Sequence, residues 1–156
     1  MLPPRRVKRL RGGRFRITIP TEERQLLRSL PRQVEEMLGT DDPALARLFP
    51  PAYGGDHAAM EAEYQRFMRD DLEASHRRSL GVMAETADAD ELDEEQMNEW
   101  MSALNQIRLV VGTRLDISEE MAAQAIDDDD PDAHLLALYH YLSWLQEQVV
   151  EALSRR

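Results

Sequence analysis

Cysteine is absent from the 156-residue sequence. That absence excludes disulfides, thiolate metal sites, thiol catalysis and any cysteine-based redox switch. Lysine is nearly absent as well. Lys8 is the only one among 19 basic residues, a bias toward arginine that points to a GC-rich genome more than to a chemistry. No apolar run approaches the roughly 20 residues of a membrane-spanning helix. The opening MLPPRRVKRLRGG carries charge with no apolar stretch behind it, so it does not read as a signal peptide. The expectation is a soluble, cytoplasmic protein with no membrane partner.

The recognisable catalytic signatures are also missing. There is no HExxH, no nucleophile beside a base and no glycine-rich phosphate loop. His134 and His140 are six residues apart and fall on different helix faces, His57 precedes Glu61 by one turn, and His76 is flanked by Arg77 and Arg78. The acidic run DDDDPD at 127 to 132 lacks the alternating ligands, the glycine and the distal glutamate of an EF-hand loop, and Asp130 or Asp132 reads as an ordinary helix cap. A non-enzymatic protein with no cofactor and no metal is expected.

What is present is an apolar content of 42%, enough for one core in a chain about one domain long. Charge is unevenly spread. The net value is -11, yet Arg5, Arg6, Lys8, Arg9, Arg11, Arg14 and Arg16 stand in the first 16 residues without an acid, leaving -18 for the remainder. The chain is electrically bipolar.

Residues 5 to 19, RRVKRLRGGRFRITI, read as a β-hairpin turning at Gly12-Gly13. A two-residue loop pairs Leu10 with Phe15 on one face, alongside Ile17 and Ile19, and gathers Arg9, Arg11, Arg14 and Arg16 on the other. Pro20-Thr21 opens a helix with Glu22 and Glu23 in its first turn; Pro31 should kink or split it, and Gly39 should stop it. Asp42-Pro43 starts a short helix ended by Pro50-Pro51. Asp56 caps a long helix to about residue 84, an acidic linker lies near 85–93, and a helix follows from about 93 to 113. SEEMAAQAI reads as a short helix capped by Ser118, and a last helix runs from about 132 to 154. The expected architecture is mainly α: a single helical domain of about five to six helices over 1–156, with a hairpin appendage at 5–19 and a helical core at 20–156.

The stretch LNQIRLVVGTRL, residues 104–115, sets one polar problem. At about 100° per residue, Met97, Trp100, Met101, Leu104, Ile107, Val111 and Leu115 share an arc that also holds Arg108, while Leu109 and Val110 lie opposite. This helix is apolar nearly all round and should be central. The same projection gives Met60, Tyr64, Phe67, Ala74 and Ser75 with Asp71 among them, and Leu135, Leu138, Tyr139, Leu142, Leu145, Val149 and Leu153 with Gln146 among them. A buried guanidinium must be paired or reach water. The economical expectation is that the three helices meet, Asp71 accepting from Arg108 and Gln146 and Asn105 completing a buried polar cluster. That cluster is read first as a structural lock, and in the sharper alternative as a polar ligand site with Arg108 as anion anchor. Arg66/Asp70, Arg69/Glu73 and Glu73/Arg77 read as solvent-facing pairs.

DPALARLFPPAY, MRDDLE, WMSALNQIRLVVGTRLDI and YHYLSWLQEQVVEAL carry a resemblance to an actinobacterial family. It is a domain of unknown function whose gene commonly lies beside that of the ClpS proteolytic adaptor. With the hairpin and first helix, these stretches cover nearly the whole chain, and the third is the most specific. The resemblance implies a cytoplasmic, mainly helical protein. It implies regulation of transcription in oxidative stress through a sigma factor, as described for some members, whereas the neighbouring gene implies regulated proteolysis. Asp71, Trp100, Asn105, Arg108, Arg114 and Gln146 fall within the family's motifs, and an acid is more usual where this chain has Gln106. A disulfide switch proposed within the family cannot operate without cysteine.

The hairpin arginines Arg9, Arg11, Arg14 and Arg16 are the strongest interaction signal. Nucleic-acid backbone, an acidic protein or this chain's own acidic surface would each match them. The last helix has no basic residue before Arg155, unlike a recognition helix, so a protein partner is expected: a sigma factor or RNA polymerase, or alternatively Clp components. A small-ligand sensor is the third reading. Trp144, opposite the last helix's main stripe, permits a homodimer as well as a monomer.

Overall fold

The computed structural model describes residues 4–50, 58–115 and 131–155. Its elements are β1 (Val7–Arg9), β2 (Arg14–Ile17), α1 (Thr21–Met37), a 3-10 helix (Pro43–Leu48), α2 (Ala58–Thr86), β3 (Glu91–Asp93), α3 (Glu94–Leu115) and α4 (Ala133–Ser154). The protein is mainly α, as expected, with a small antiparallel sheet at its N-terminal end. The Asp56 cap, the Ser118-capped helix and Asp127 to Asp130 lie outside the described residues.

The hairpin is one part of a three-stranded sheet ordered β1-β2-β3. Residues 91–93, expected within an acidic linker, pair with β2 instead. Leu92 is fully buried while Glu91 faces solvent, which is the alternation a half-buried strand requires. Asp93 then starts α3 through a capping box: its carboxylate accepts from Gln96 N at 2.7 Å, and the Gln96 side chain accepts from Asp93 N at 2.9 Å.

The loop of the hairpin is longer than a two-residue turn. Leu10 N donates to Arg14 O at 2.7 Å, leaving Arg11, Gly12 and Gly13 as the loop, with φ of 78° and 73° at the two glycines. Val7 therefore opposes Ile17, Lys8 opposes Arg16, and Arg9 opposes Phe15. A slip of one residue moves a side chain to the other face. Arg9 accordingly belongs to the inner face with Val7, Phe15 and Ile17, not to the outer arginine face expected for it.

Pro31 does not split α1, which runs unbroken through it with Leu27, Pro31 and Val34 buried. The helix is held by packing of that face, which offsets the cost of the backbone hydrogen bond lost at Pro31. α3 is central, as its all-round apolarity requires: Met97, Trp100, Ala103, Leu104, Ile107, Val110 and Val111 are buried, and the helix touches α1, α2, α4, the 3-10 helix and the sheet. On α4 the buried stripe is Leu142, Leu145, Val149 and Ala152.

α2 differs from expectation in its N-terminal half. Its buried stripe is Ser79, Leu80, Met83 and, just beyond the helix, Ala87, preceded by half-buried Leu72. Met60 and Phe67 are exposed, Phe67 by 69%, and Asp71 is exposed with them. Among the described residues, Met60, Phe67 and Met68 of this helix are exposed apolar side chains. Of the three expected i,i+4 pairs, Glu73 and Arg77 close to 3.5 Å, whereas the Arg69 guanidinium lies 4.1 Å over the Phe49 ring.

Candidate functional site

The basic pole is built by the hairpin register. Lys8, Arg14 and Arg16 point outward and Arg11 stands at the loop; all four are exposed, and none of them forms an ion pair among the described residues. β3 places Asp93 opposite Arg14 and Glu91 opposite Arg16. Cross-strand neighbours of opposite charge attract weakly at such an exposed edge, so the outer face is a charge ladder with a basic surplus. Arg9 has a different task. Its guanidinium sits 5.2 Å from the centre of the Phe15 ring and donates from Nη1 to the carbonyls of Ala152 and Leu153 at 3.3 and 3.4 Å. These carbonyls end α4, where unsatisfied acceptors and the helix dipole favour a cation.

Two further arginines hold the sheet to the helices, and the sequence offered no spacing that singles them out. Arg24, its side chain 11% exposed, donates to four carbonyls: Ile19 at 2.7 Å, Ile17 at 3.1 Å, Ala87 at 3.1 Å and Ala89 at 2.8 Å. It joins β2, the start of α1 and the α2–β3 turn. Arg6 grips Glu23 through two bonds of 3.1 and 2.9 Å and lies 5.4 Å over the Trp144 ring. Tyr141 donates its hydroxyl proton to the same carboxylate at 2.8 Å. Burial first, and then this bond to Glu23, hold the Tyr141 phenol protonated well above the usual phenol range. Trp144, expected on a free surface, is half-buried in this cluster.

Of the expected polar cluster, the structure brings together only Arg108 and Asn105. Arg108 Nη2 donates to Asn105 Oδ1 at 2.9 Å, and its guanidinium lies 6.0 Å from the Tyr139 ring centre. Asp71 is exposed on α2 and forms no ion pair with Arg108, and half-buried Gln146 forms no hydrogen bond with either. The cluster does not close because Asp71 lies on the solvent side of α2, while its neighbour Leu72 is half-buried against the core. Gln106, which the projection did not single out, is buried with its Oε1 unpartnered.

Among the described residues no group of three or more metal-binding side chains converges. Ser79 donates to Glu99 at 2.6 Å, a contact between a hydroxyl and a carboxylate, yet Ser79 is buried, and Nε2 of His76, one turn before it, is engaged with the Leu48 carbonyl at 2.8 Å. The arrangement serves the α2–α3 interface. A cleft of ≈ 270 Å³ opens between α1, α3 and α4, lined by Leu30, Val34, Ile107, Val111 and Leu138 with Arg114 at its edge.

The sequence pattern of the family described as "Domain of unknown function (DUF2017)" matches residues 4–153. A relative from Mycobacterium tuberculosis named "Oxidative stress regulator AosR" is 24% identical over 186 aligned positions, covering 94% of this chain and 85% of the relative. A Mycobacterium bovis relative of the same name matches equally. A Mycobacterium leprae relative, provisionally given that name, is 27% identical over 129 positions, covering 72% of this chain. The match spans 59% of that relative's own length. No solved structure matches the chain.

Proposed function

The chain belongs to the DUF2017 family, and from that membership we propose that it is a non-enzymatic regulatory protein acting on transcription through a protein partner, a sigma factor or RNA polymerase. The regulatory part draws on the relatives named oxidative stress regulators. The partner part rests on one observation: Arg11, Arg14 and Arg16 are exposed at one pole of a molecule whose remainder is strongly acidic. Such a pole attracts an acidic protein surface, while the surrounding negative charge repels nucleic acid. Without cysteine the chain has no thiol of its own with which to sense an oxidant.

The experiment is binding of the purified protein to mycobacterial sigma factors and RNA polymerase holoenzyme, with nuclease present, measured for the wild type and for the triple variant Arg11→Glu, Arg14→Glu, Arg16→Glu. Nuclease-resistant binding that the triple variant loses supports the reading. Binding instead to Clp components moves the function to an accessory role in proteolysis, and unchanged binding by the triple variant removes the basic pole from the interface.

A further inference from the structure

The register of the sheet sets a straight row of charge across its outer face. Lys8 on β1 opposes Arg16 on β2, and Arg16 opposes Glu91 on β3. All three are exposed, on the side away from the buried Phe15 and Leu92. Two residues along the strands Arg14 opposes Asp93, and Arg11 stands exposed at the hairpin loop.

The two acids of β3 are not equivalent. The Asp93 carboxylate is engaged as the cap of α3, where it accepts from Gln96 N at 2.7 Å. The side chains of Lys8, Arg16 and Glu91 form no hydrogen bond or ion pair among the described residues, so each is free to meet a charge from outside. Neighbouring strands stand about 5 Å apart. An anion that settles on Arg16 therefore comes within the screening length of Glu91, about 8 Å at physiological salt.

A nucleic-acid backbone and an acidic protein meet this row differently. B-DNA carries one negative charge per about 1.7 Å of axis, so a backbone laid on Lys8 and Arg16 also lays phosphate over Glu91. A protein places its carboxylates one at a time and can set a neutral or basic side chain there. We propose that the outer face of the sheet docks an acidic protein segment whose carboxylates meet Lys8, Arg14 and Arg16, and that Glu91 is the specificity residue that turns nucleic acid away. This rests on the reading of the basic pole as a protein interface, and it narrows the repulsion of nucleic acid from the whole acidic molecule to one local charge. The segment that fits carries acids bordered on one side by a basic or neutral residue, in the order that mirrors the row.

The test uses the full chain and two fluorescent probes, a synthetic peptide repeating Glu-Glu-Lys and a random-sequence DNA duplex, read by anisotropy over a series of salt concentrations. The wild type is expected to bind the peptide more tightly than the duplex, and Arg16→Gln to weaken peptide binding. Glu91→Gln strengthens duplex binding by about threefold or more and steepens its salt dependence, while peptide binding changes by less than about twofold. Asp70→Asn removes the same charge from α2, about 24 Å along the helix from its β3 end, and leaves duplex binding within about twofold. Equal strengthening by Glu91→Gln and Asp70→Asn, tighter binding of duplex than of peptide by the wild type, or peptide binding indifferent to Arg16→Gln overturns the proposal. All of these are read without sigma factor or polymerase. The reading of the pole as an interface fails on a different result, unchanged partner binding by the triple variant Arg11→Glu, Arg14→Glu, Arg16→Glu.

Discussion

Arg9 stands directly opposite Phe15 in the β1–β2 ladder, and its guanidinium passes over that ring to reach the last carbonyls of α4. The four hairpin arginines are therefore not equivalent. Arg9→Gln removes a cation from a helix C-terminus and a contact from a buried ring, and is expected to cost about 1–2 kcal/mol. Arg11→Gln, Arg14→Gln and Arg16→Gln each stay within about 0.5 kcal/mol. Urea unfolding of the four single variants checks this, and four equal effects would mean that the register of the hairpin is different in solution.

Arg24 carries a larger share of the architecture. Its five bonds include four to backbone carbonyls, those of Ile17 and Ile19 just before α1 and those of Ala87 and Ala89 in the distant α2–β3 turn. Arg24→Gln reaches few of them and leaves the others facing a protein interior. Because unmade hydrogen bonds to buried carbonyls cost about 1–3 kcal/mol each, a loss of about 3 kcal/mol or more is expected in denaturant unfolding. A loss below about 1 kcal/mol would show that water replaces the guanidinium freely.

Tyr141 gives the protein a stability limit at high pH. Its folded-state pKa lies above the unfolded value of 10.0, so below that pH both states hold the proton and its contribution is fully present. Above it the unfolded chain releases the proton while the folded chain keeps it, and stability falls as pH rises. The wild type is expected to lose stability on going from pH 9 to 11, measured by denaturant midpoint, with a shallower slope in Tyr141→Phe. At neutral pH that variant loses one charge-assisted bond, worth about 1–2 kcal/mol, because Arg6 still holds Glu23.

What could be read from the sequence was whatever depends on local period and punctuation. α3 was visible as a central helix because apolar residues surround it, α4 because its stripe is regular, and the strands of the hairpin because β-formers flank two glycines. Three kinds of feature were hidden. The loop length could not be fixed by Gly12-Gly13 alone, and a difference of one residue sent Arg9 inward. β3 is three residues long, and its single inward side chain, Leu92, gives no periodic signal within an acidic run. The N-terminal half of α2 looked like core because Met60 and Phe67 are apolar at helical spacing, and only the tertiary arrangement of the described residues leaves those two exposed. The Arg24 and Arg6 clusters join residues far apart in sequence, so no spacing announces them.

Gln106 is a candidate for stabilisation. It is buried in α3 with an unpartnered Oε1, and an apolar residue of similar volume there removes a polar group that gains nothing from its surroundings. Gln106→Leu is expected to leave stability unchanged or raise it by up to about 1 kcal/mol. A fall of more than about 1 kcal/mol in thermal unfolding would reveal a partner for this oxygen in solution.

Asp71 and Arg108 give the sharpest test of how the helices associate. Had they formed a buried pair, removing either would strand the other, at a cost of about 3–5 kcal/mol, and removing both would cost less than the sum. With Asp71 exposed and Arg108 bonded to Asn105, the two residues act independently. Asp71→Ala is expected to change stability by no more than about 0.5 kcal/mol, and the double variant with Arg108→Met should equal the sum of the singles within about 0.5 kcal/mol. A coupling energy above 1 kcal/mol from the four unfolding curves would bring α2 inward in solution and restore the three-helix lock. Additivity leaves Arg108 held on α3 by Asn105 and Tyr139, with no energetic link to Asp71.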